Sequence, residues 1–122
     1  WLNAVDINDV GFLKDDQYEC GVSPDGLISR DGGIEIKCPK PSTHVDYFRK
    51  QKVPSIYIPQ IQGCMWITGR KWWDFMSYHP DMEPIIIRVY RDEEFIKKLN
   101  KIVIEACQII DEVAKEMEAR KQ

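Results

Sequence analysis

Residues 23–39 read Ser23-Pro24-Asp25-Gly26-Leu27-Ile28-Ser29-Arg30-Asp31-Gly32-Gly33-Ile34-Glu35-Ile36-Lys37-Cys38-Pro39. Leu27-Ile28-Ser29 and the run from Ile34 to Cys38 have the composition of two short strands. Between them, Asp31-Gly32-Gly33 can supply the positive-φ residues of a tight turn. We therefore expect a β-hairpin here and take it as the feature around which the rest of the chain is organised.

The hairpin is expected to have an apolar and a polar face. Because side chains alternate along a strand, Ile34 and Ile36 should share one face, and Glu35 and Lys37 the other. The two isoleucines are assigned to the core. Asp25, just before the first strand, can approach Glu35 across the turn.

Two acids and a lysine in this arrangement suit phosphodiester hydrolysis. That reaction needs an activated water and neutralisation of the charge that develops on phosphorus, which a divalent ion held by carboxylates can provide. Asp25, Glu35 and the backbone carbonyl of Ile36 are candidate ligands for Mg²⁺, which prefers oxygen ligands and retains waters. Lys37 could position or deprotonate the attacking water, or stabilise the developing charge. A lone E-x-K is more often a solvated sheet face, and P-D-G an ordinary turn; their combination on one hairpin favours a site.

The remaining patterns predict helices on a sheet, an α/β (α+β) fold. Asp15-Asp16 is predicted to be a turn between short strands at 11–13 and 18–20. Ser42 is a suitable N-cap for a helix over 43–51. A second helix from about Pro59 to Gly69 carries Gln60 and Gln62, each of which could serve a site or bond to backbone in the core. Further strands are predicted at 71–78 and 84–90, and a three-to-four-residue apolar period predicts one long amphipathic C-terminal helix from Asp92.

The composition and net charge of the chain limit the kinds of partner that it can bind. With 122 residues and a net charge of -3, the chain is expected to form one domain without a global basic field. Any contact with DNA must be local, and the basic residues after the hairpin are the candidates for it: Lys40, Arg49, Lys50 and Lys52.

Apolar runs are too short to cross a bilayer, so a cytoplasmic protein without a membrane partner is expected. The four cysteines form no C-x-x-C pair, which argues against a zinc or iron–sulfur site.

Three blocks of sequence resemble a known family. They are Ser23–Leu27 (S-P-D-G-L), Glu35–Pro39 (E-h-K-C-P) and Tyr57–Trp66 (Y-x-x-Q-h-Q-x-x-M-W). In this order they resemble the YqaJ-like viral recombinase family, to which phage lambda exonuclease belongs, within the PD-(D/E)xK nuclease superfamily. The resemblance implies a restriction-endonuclease-like core, a central mixed β-sheet flanked by helices.

The resemblance also implies an activity and the residues that carry it. It implies a Mg²⁺-dependent exonuclease, with Mn²⁺ as a substitute, that degrades one strand of duplex DNA from a 5′ end. The 3′ overhang would serve a single-strand annealing protein, and the enzyme would be a homo-oligomer, a trimer, around DNA. The implied roles are metal binding by Asp25, Glu35 and the Ile36 carbonyl, catalysis by Lys37, support of the site by Tyr57 and Gln60, and binding of the terminal phosphate by Ser23.

Residues 1–122 are expected to be a single nuclease core, the C-terminal part of a longer nuclease. The family's N-terminal helical region, with a further acidic residue and an arginine for the 5′-phosphate, has no counterpart here. Two alternatives stay open: an endonuclease of the same superfamily, and a catalytically silent DNA-binding or assembly module.

Overall fold

A computed structural model of the chain describes residues 6–15 and 20–121. Within them, no helix is both long enough and apolar enough to cross a membrane. The strands are β1 (Ile7–Asn8), β2 (Leu13–Asp15), β3 (Cys20–Val22), β4 (Gly26–Ile28), β5 (Gly32–Lys37), β6 (Trp72–His79) and β7 (Met82–Tyr90). The α-helices are α1 (Pro41–Lys50), α2 (Ile58–Thr68) and α3 (Glu93–Ala119), and a 3₁₀ turn (Ser55–Tyr57) precedes α2.

Five strands form one mixed sheet in the order β1-β4-β5-β6-β7, in which only β5 and β6 are parallel among the described strands. Strands β2 and β3 form a separate antiparallel pair. The predicted turn between these two strands falls largely on residues 16–19, outside the described residues. The predicted mixed sheet flanked by helices is confirmed.

The predicted hairpin is confirmed as the antiparallel pair β4–β5, but its turn differs from the prediction. Gly32 and Gly33 lie in β5, and the positive φ, 51°, belongs to Ser29. The two glycines are needed for another reason, the close approach of two indole rings from β6. A Cβ on Gly32 would lie 2.1 Å from Trp72, and one on Gly33 would lie 2.3 Å from Trp73.

The assignment of both isoleucines to the core was half wrong. Ile34 is fully buried and packs with Ile28 and Met76. Ile36 is 38% exposed, because it lies near the end of β5 where β4 no longer runs beside it. Glu35 is only 4% exposed on the opposite face, so the polar face of β5 is the more deeply covered one at this point.

The two helices between β5 and β6 cover that face. Helix α1 begins at Pro41 with Lys40 as its N-cap, so the predicted cap at Ser42 was wrong; proline is favoured at the first helical position because its φ is already helical. Helix α2 ends at Gly69, with φ 70°, as predicted. The main core lies between these helices and the sheet and includes Tyr47, Ile61, Met65, Trp73 and Phe75.

The predicted long C-terminal helix is confirmed as α3, but most of its apolar stripe is not covered by the described residues. Asp92 caps it by accepting the backbone N–H of Phe95. Ile96, in its first turn, is its only buried residue in the part of the chain that the structure describes. Further along, five large apolar side chains are exposed: Ile102, Ile109, Ile110, Val113 and Met117.

Candidate active site

The hairpin brings Asp25 beside the end of β5. Strand β4 stops pairing at Gly26, which faces Ile34. Beyond this pair, the Ile36 N–H donates to Asp25 Oδ2 at 2.7 Å. The Asp25 carboxylate thus accepts the hydrogen bond that a backbone carbonyl of β4 would accept if the strand continued. In a strand, the N–H and C=O of one residue point to the same edge, so the Ile36 carbonyl faces the edge where Asp25 lies.

Glu35 is the centre of a polar cluster on the covered face of the sheet. Its Oε1 lies 3.1 Å from Lys37 Nζ and accepts a hydrogen bond from Gln60 Nε2 at 3.1 Å. Glu35 and Lys37 share a face because they are two residues apart on β5, and Gln60 reaches them from the first turn of α2. The sequence-predicted residues Glu35, Lys37 and Gln60 are therefore brought into direct contact.

The aromatic ring of Tyr57 lies against the ammonium group of Lys37. The Lys37 ammonium lies 4.6 Å from the centroid of the Tyr57 ring, within cation–π range. The Tyr57 ring stacks on Phe75 with centroids 5.7 Å apart, and Tyr47 meets the same phenylalanine edge-on at 5.7 Å. Burial and a hydrogen bond with Tyr57 raise the pKa of Tyr47 to about 12. Tyr57 thus joins the candidate site to the core of the protein.

The electrostatics of the site disfavour the charge that Glu35 carries. Burial raises the pKa of Glu35 above its ordinary value; the hydrogen bond to Lys37 opposes this, and the charge of Asp25 raises the pKa further. The same two acids act on Cys64 of α2. Burial, followed by the charges of Glu35 and Asp25, raises the pKa of the Cys64 thiol to about 12.

The donor set fits a hard divalent cation. Two carboxylates, Asp25 and Glu35, and the Ile36 carbonyl are all oxygen donors of the kind that Mg²⁺ binds alongside water. The mutual repulsion of the two acids is opposed by the charge of Lys37 and by the Gln60 hydrogen bond to Glu35, and a bound cation would oppose it further. No group of three His, Cys, Asp or Glu side chains converges in the described ranges, so such a site depends on the backbone carbonyl or bound water.

The two glutamines of α2 have different environments. Gln60 donates to Glu35, as described above. Gln62 is buried and bonds only to backbone in the contacts the structure gives it: its Nε2 donates to the Tyr90 carbonyl, and its Oε1 accepts the Asp92 N–H. Gln62 therefore fastens α2 to the junction of β7 and α3, and of the two only Gln60 contacts the acidic cluster.

The predicted DNA-contacting residues do not form one cluster. Ser23 is exposed and lies two residues before Asp25, at the edge of the candidate site. Lys40 lies at the start of α1, whereas Arg49 and Lys50 lie in its last turn. A ten-residue helix is about 15 Å long, so these cations are spread along α1. Lys50 is also paired with Asp46 at 3.0 Å, which lowers the positive charge that it offers.

A second charged group was not predicted from the sequence. Asp74 is 1% exposed and forms a two-pronged ion pair with Arg88, with Nε–Oδ1 at 2.8 Å and Nη2–Oδ2 at 3.1 Å. The guanidinium also lies 3.6 Å from the centroid of a Trp72 ring. Hydrogen bonding to Asp74 raises the pKa of Arg88. These residues lie on the sheet face opposite Glu35; only the register of β6 with β7 brings Asp74 to Arg88, so no local motif could have revealed the pair.

A family model matches the part of the chain that contains the residues of the acidic cluster. The family model of the YqaJ-like viral recombinase domain matches residues 3–71, more than half of the chain. The chain belongs to this family. The matched stretch contains the hairpin, α1 and α2 of this YqaJ-like domain, and so includes every residue of the acidic cluster. No curated protein matches the chain.

Solved structures share the fold of this YqaJ-like domain. It is similar to LHK-Exo, an alkaline exonuclease from Laribacter hongkongensis, with 34% identity and a TM-score of 0.85 over 98% of this chain and 64% of that one. The structure of LHK-Exo in complex with dAMP gives 30% identity and a TM-score of 0.86, over 99% and 66%. A phage-related exonuclease from Haemophilus somnus 129PT, at 18% identity, shares the fold with a TM-score of 0.70 over 95% and 65%. The chain thus spans about two thirds of the length of these proteins.

Proposed function

We propose that the chain is the catalytic core of a metal-dependent exonuclease that acts on duplex DNA ends. The observation that carries the proposal is the cluster on β5, in which Glu35 contacts both Lys37 and Gln60 while Asp25 is fixed to the backbone of Ile36. The similarity to the alkaline exonuclease LHK-Exo supports the same reaction class.

In this proposal, Asp25, Glu35 and the Ile36 carbonyl hold Mg²⁺, with Mn²⁺ as a substitute. The cation supplies charge neutralisation at the phosphate and lowers the pKa of a water molecule. Gln60 fixes the orientation of the Glu35 carboxylate through its amide, and the Ile36 N–H does the same for Asp25.

In this proposal, Lys37 acts as a cation and not as a base. Its two contacts, the Glu35 carboxylate and the face of the Tyr57 ring, are both partners that an ammonium ion prefers. Its role is to stabilise the negative charge that develops on the phosphate, which fits these contacts.

Hydrolysis forms a bond from the oxygen of water to phosphorus and breaks the bond from phosphorus to the 3′-oxygen of the terminal nucleotide. The proton lost by the water leaves to solvent, and the 3′-oxygen gains one. The products are a nucleoside monophosphate and a strand with a new 5′-phosphate. The complex of LHK-Exo with dAMP contains a compound of this product class.

The finer features are proposed from the family resemblance. They are 5′ to 3′ polarity, a 3′ overhang handed to a single-strand annealing protein, a trimeric assembly around DNA, and a cytoplasmic site of action. Ser23 would contact the terminal phosphate, and Lys40, Arg49 and Lys50 would contact the strand along α1. Since these cations are spread along one helix, each would make a separate backbone contact.

The test is digestion of linear duplex DNA by the purified protein with and without Mg²⁺. Lys37→Met should lower kcat by about 1,000-fold, as expected for loss of a group that stabilises transition-state charge. Lys97→Met on the exposed surface of α3 is the matched control and should digest DNA at the parent rate. Chelation should abolish the activity, and Mn²⁺ should restore it.

The rival functions predict other results in the same assay. Nicking of covalently closed circles would show an endonuclease. A protein that binds DNA, but in which Lys37→Met and the parent are equally inactive with Mg²⁺, would be a silent binding module.

A further inference from the structure

Strand β7 forms one edge of the five-stranded sheet, and it pairs only with β6 among the described strands. It is nine residues long, so this edge is extended. An edge strand presents backbone N–H and C=O groups with which a further strand can pair. The free side of β7 is therefore a surface on which another polypeptide segment can dock.

The hydrogen bonds around Tyr90 show which residues of β7 face this edge. The Trp72 N–H donates to the Asp31 carbonyl, on the β5 side, so Trp72 and the opposite Tyr90 form a non-hydrogen-bonded pair. The backbone of Tyr90 therefore faces away from β6. There Gln62 Nε2 donates to the Tyr90 carbonyl, which occupies that acceptor from within the chain.

The backbones of Ile86 and Arg88 face the same edge, because every second residue of a strand points to the same side. Pro84 continues this set but has no N–H to donate. Within the described ranges, the groups open to a further strand are thus both backbone groups of Ile86 and Arg88, the Tyr90 N–H and the Pro84 carbonyl.

A second copy of β7 matches these groups when Ile87 lies opposite its own counterpart. In this antiparallel register, Ile86 of each copy exchanges both backbone hydrogen bonds with Arg88 of the other. The Tyr90 N–H then donates to the Pro84 carbonyl of the other copy. Pro84, which has no N–H, lies opposite the one carbonyl that Gln62 already occupies, so each open group finds a partner.

The two neighbouring registers leave a backbone group unpaired. With Ile86 opposite Ile86, Pro84 faces Arg88 of the other copy, and the Arg88 carbonyl has no donor. With Arg88 opposite Arg88, the Ile86 N–H faces the Tyr90 carbonyl that is already occupied. The proline and the glutamine contact therefore select the same register, although they lie at opposite ends of the strand.

The side chains on the helix-covered side of β7 also suit this register. Ile85 is buried there, and Ile87 and Val89 are half-buried against the main core. Across the two copies, Ile87 would meet Ile87 and Ile85 would meet Val89. Cross-strand pairs of β-branched side chains stabilise sheets, and these would cover apolar surface that a single copy leaves partly exposed.

We propose that the free edge of β7 pairs with β7 of a second copy of this chain, antiparallel and about a two-fold axis at Ile87. Such a contact uses the same surface of both copies and closes with two. It is separate from the trimeric assembly proposed above and would join two such rings. It does not depend on the proposed exonuclease function.

The pairing would bring two candidate active sites to one side of a continuous sheet. Glu35 lies opposite Phe75, and Phe75 lies opposite Ile87, so Glu35 is level with the two-fold axis. Since neighbouring strands are about 4.8 Å apart, the two Glu35 residues would be about 24 Å apart across the sheet.

Cysteine cross-linking tests the register. The Cα atoms of a non-hydrogen-bonded antiparallel pair are about 4.5 Å apart, so Ile87→Cys should form a disulfide-linked dimer under mild oxidation. Val89→Cys, half-buried on the same side of β7, is the matched control. Its two cysteines would be about 14 Å apart and should not cross-link.

Both variants keep the native cysteines, so any cross-link through those residues would appear in both. A non-reducing gel should shift to twice the monomer mass in Ile87→Cys alone. Absence of this shift, or an equal yield of dimer in Val89→Cys, would overturn the proposal.

A proline at Ile86 blocks the edge and leaves the β6–β7 ladder intact. The Ile86 N–H points away from β6, and proline is tolerated where the N–H of an edge strand faces outward. Ile86→Val keeps this N–H and is the control. Combined with Ile87→Cys, Ile86→Pro should abolish the cross-linked dimer and Ile86→Val should retain it; a dimer in both would count against β7 pairing.

Amide exchange of the parent protein, followed by NMR, needs no variant. Only a dissociated copy exposes the Ile86 and Arg88 N–H groups. Their exchange should slow about 10-fold over an about 100-fold rise in concentration above the Kd of the pair, because the dissociated fraction falls by that factor. The Ile87 N–H faces β6 and serves as the internal control. Exchange of Ile86 and Arg88 that does not depend on concentration would overturn the proposal.

Discussion

The Glu35 carboxylate is buried in a place where its charge is unfavourable without a further cation. Its pKa is raised by burial and by Asp25, so the folded protein holds the proton more tightly than the unfolded chain does. For an acid with a raised folded pKa, the unfolded state gains relative stability once the pH exceeds the unfolded value. At neutral pH without divalent ions, Glu35 therefore opposes folding.

Glu35→Gln should accordingly raise the melting temperature of the metal-free protein at pH 7 while abolishing DNA digestion. The amide removes the charge and keeps the shape of the side chain. Glu112→Gln, exposed in the middle of α3, is the control and should change neither property. Calorimetric melting in chelator measures the effect; a lower melting temperature for Glu35→Gln would contradict it.

The ring of Tyr57, more than its hydroxyl, should matter for Lys37. Tyr57→Phe keeps both the stack on Phe75 and the face presented to the ammonium, whereas Tyr57→Leu removes both. We expect about a 10-fold loss of kcat in Tyr57→Leu and a smaller loss in Tyr57→Phe, from the usual strength of a cation–π contact. Steady-state digestion of linear duplex DNA compares them, and equal losses would assign the effect to the hydroxyl.

The β4–β5 hairpin is held at its turn by one side chain from outside it. Arg70 Nη1 donates to the Ser29 carbonyl at 2.8 Å and to the Gly32 carbonyl at 2.9 Å, with a longer contact to Ile28. Arg70→Met should lower the free energy of unfolding by about 2 kcal/mol, as hydrogen bonds from a charged donor do. Urea unfolding measures it, with Arg30→Met in the exposed turn as the control. A loss no larger than in the control would contradict this role.

Gly33 should tolerate no side chain, although it is in a strand. Because the Cβ would lie 2.3 Å from the Trp73 ring, Gly33→Ala must displace a fully buried indole. Overpacking of this kind costs about 1–3 kcal/mol. Gly11→Ala, where a Cβ meets nothing within 4 Å, should cost far less in the same unfolding measurement. If the two costs were similar, strand propensity and not the tryptophan contact would explain Gly33.

Local sequence predicted elements better than it predicted contacts. Turn residues and apolar periods are short-range signals, and they were sufficient to predict three elements: the hairpin, α2 with its end at Gly69, and the long helix. Gly32 and Gly33 are needed because two tryptophan rings of β6 lie against them, and Ile36 is exposed because β4 ends before it. Both effects come from neighbouring strands and not from local sequence. In the candidate site, the resemblance pointed to Gln60, but its contact with Glu35 depends on how α2 packs across the sheet. The roles of Asp25, Glu35 and Lys37 stay predictions.

At the scale of the molecule, the apolar stripe of α3 leaves five large apolar side chains exposed among the described residues. Apolar residues that recur every three or four positions predicted this stripe. Such a pattern does not indicate which surface packs against the stripe. Contiguous exposed apolar side chains mark surfaces that associate. The double substitution Ile109→Lys and Met117→Lys should therefore reduce self-association, measured by light scattering in solution. An unchanged mass would contradict it, and Lys101→Gln with Lys115→Gln on the same helix is the control.

The parallel pairing of β5 with β6 has a consequence for how the protein folds. The two hairpins, β4–β5 and β6–β7, can each form from residues close in sequence, but Gly32 pairs with Trp72, forty positions later. Closing such a long loop is slow compared with forming a hairpin. The residues between the hairpins include α1 and α2, so the step that joins the two halves of the sheet also brings Gln60 and Tyr57 to Glu35 and Lys37. The acidic cluster should then assemble last, in the rate-limiting step of folding.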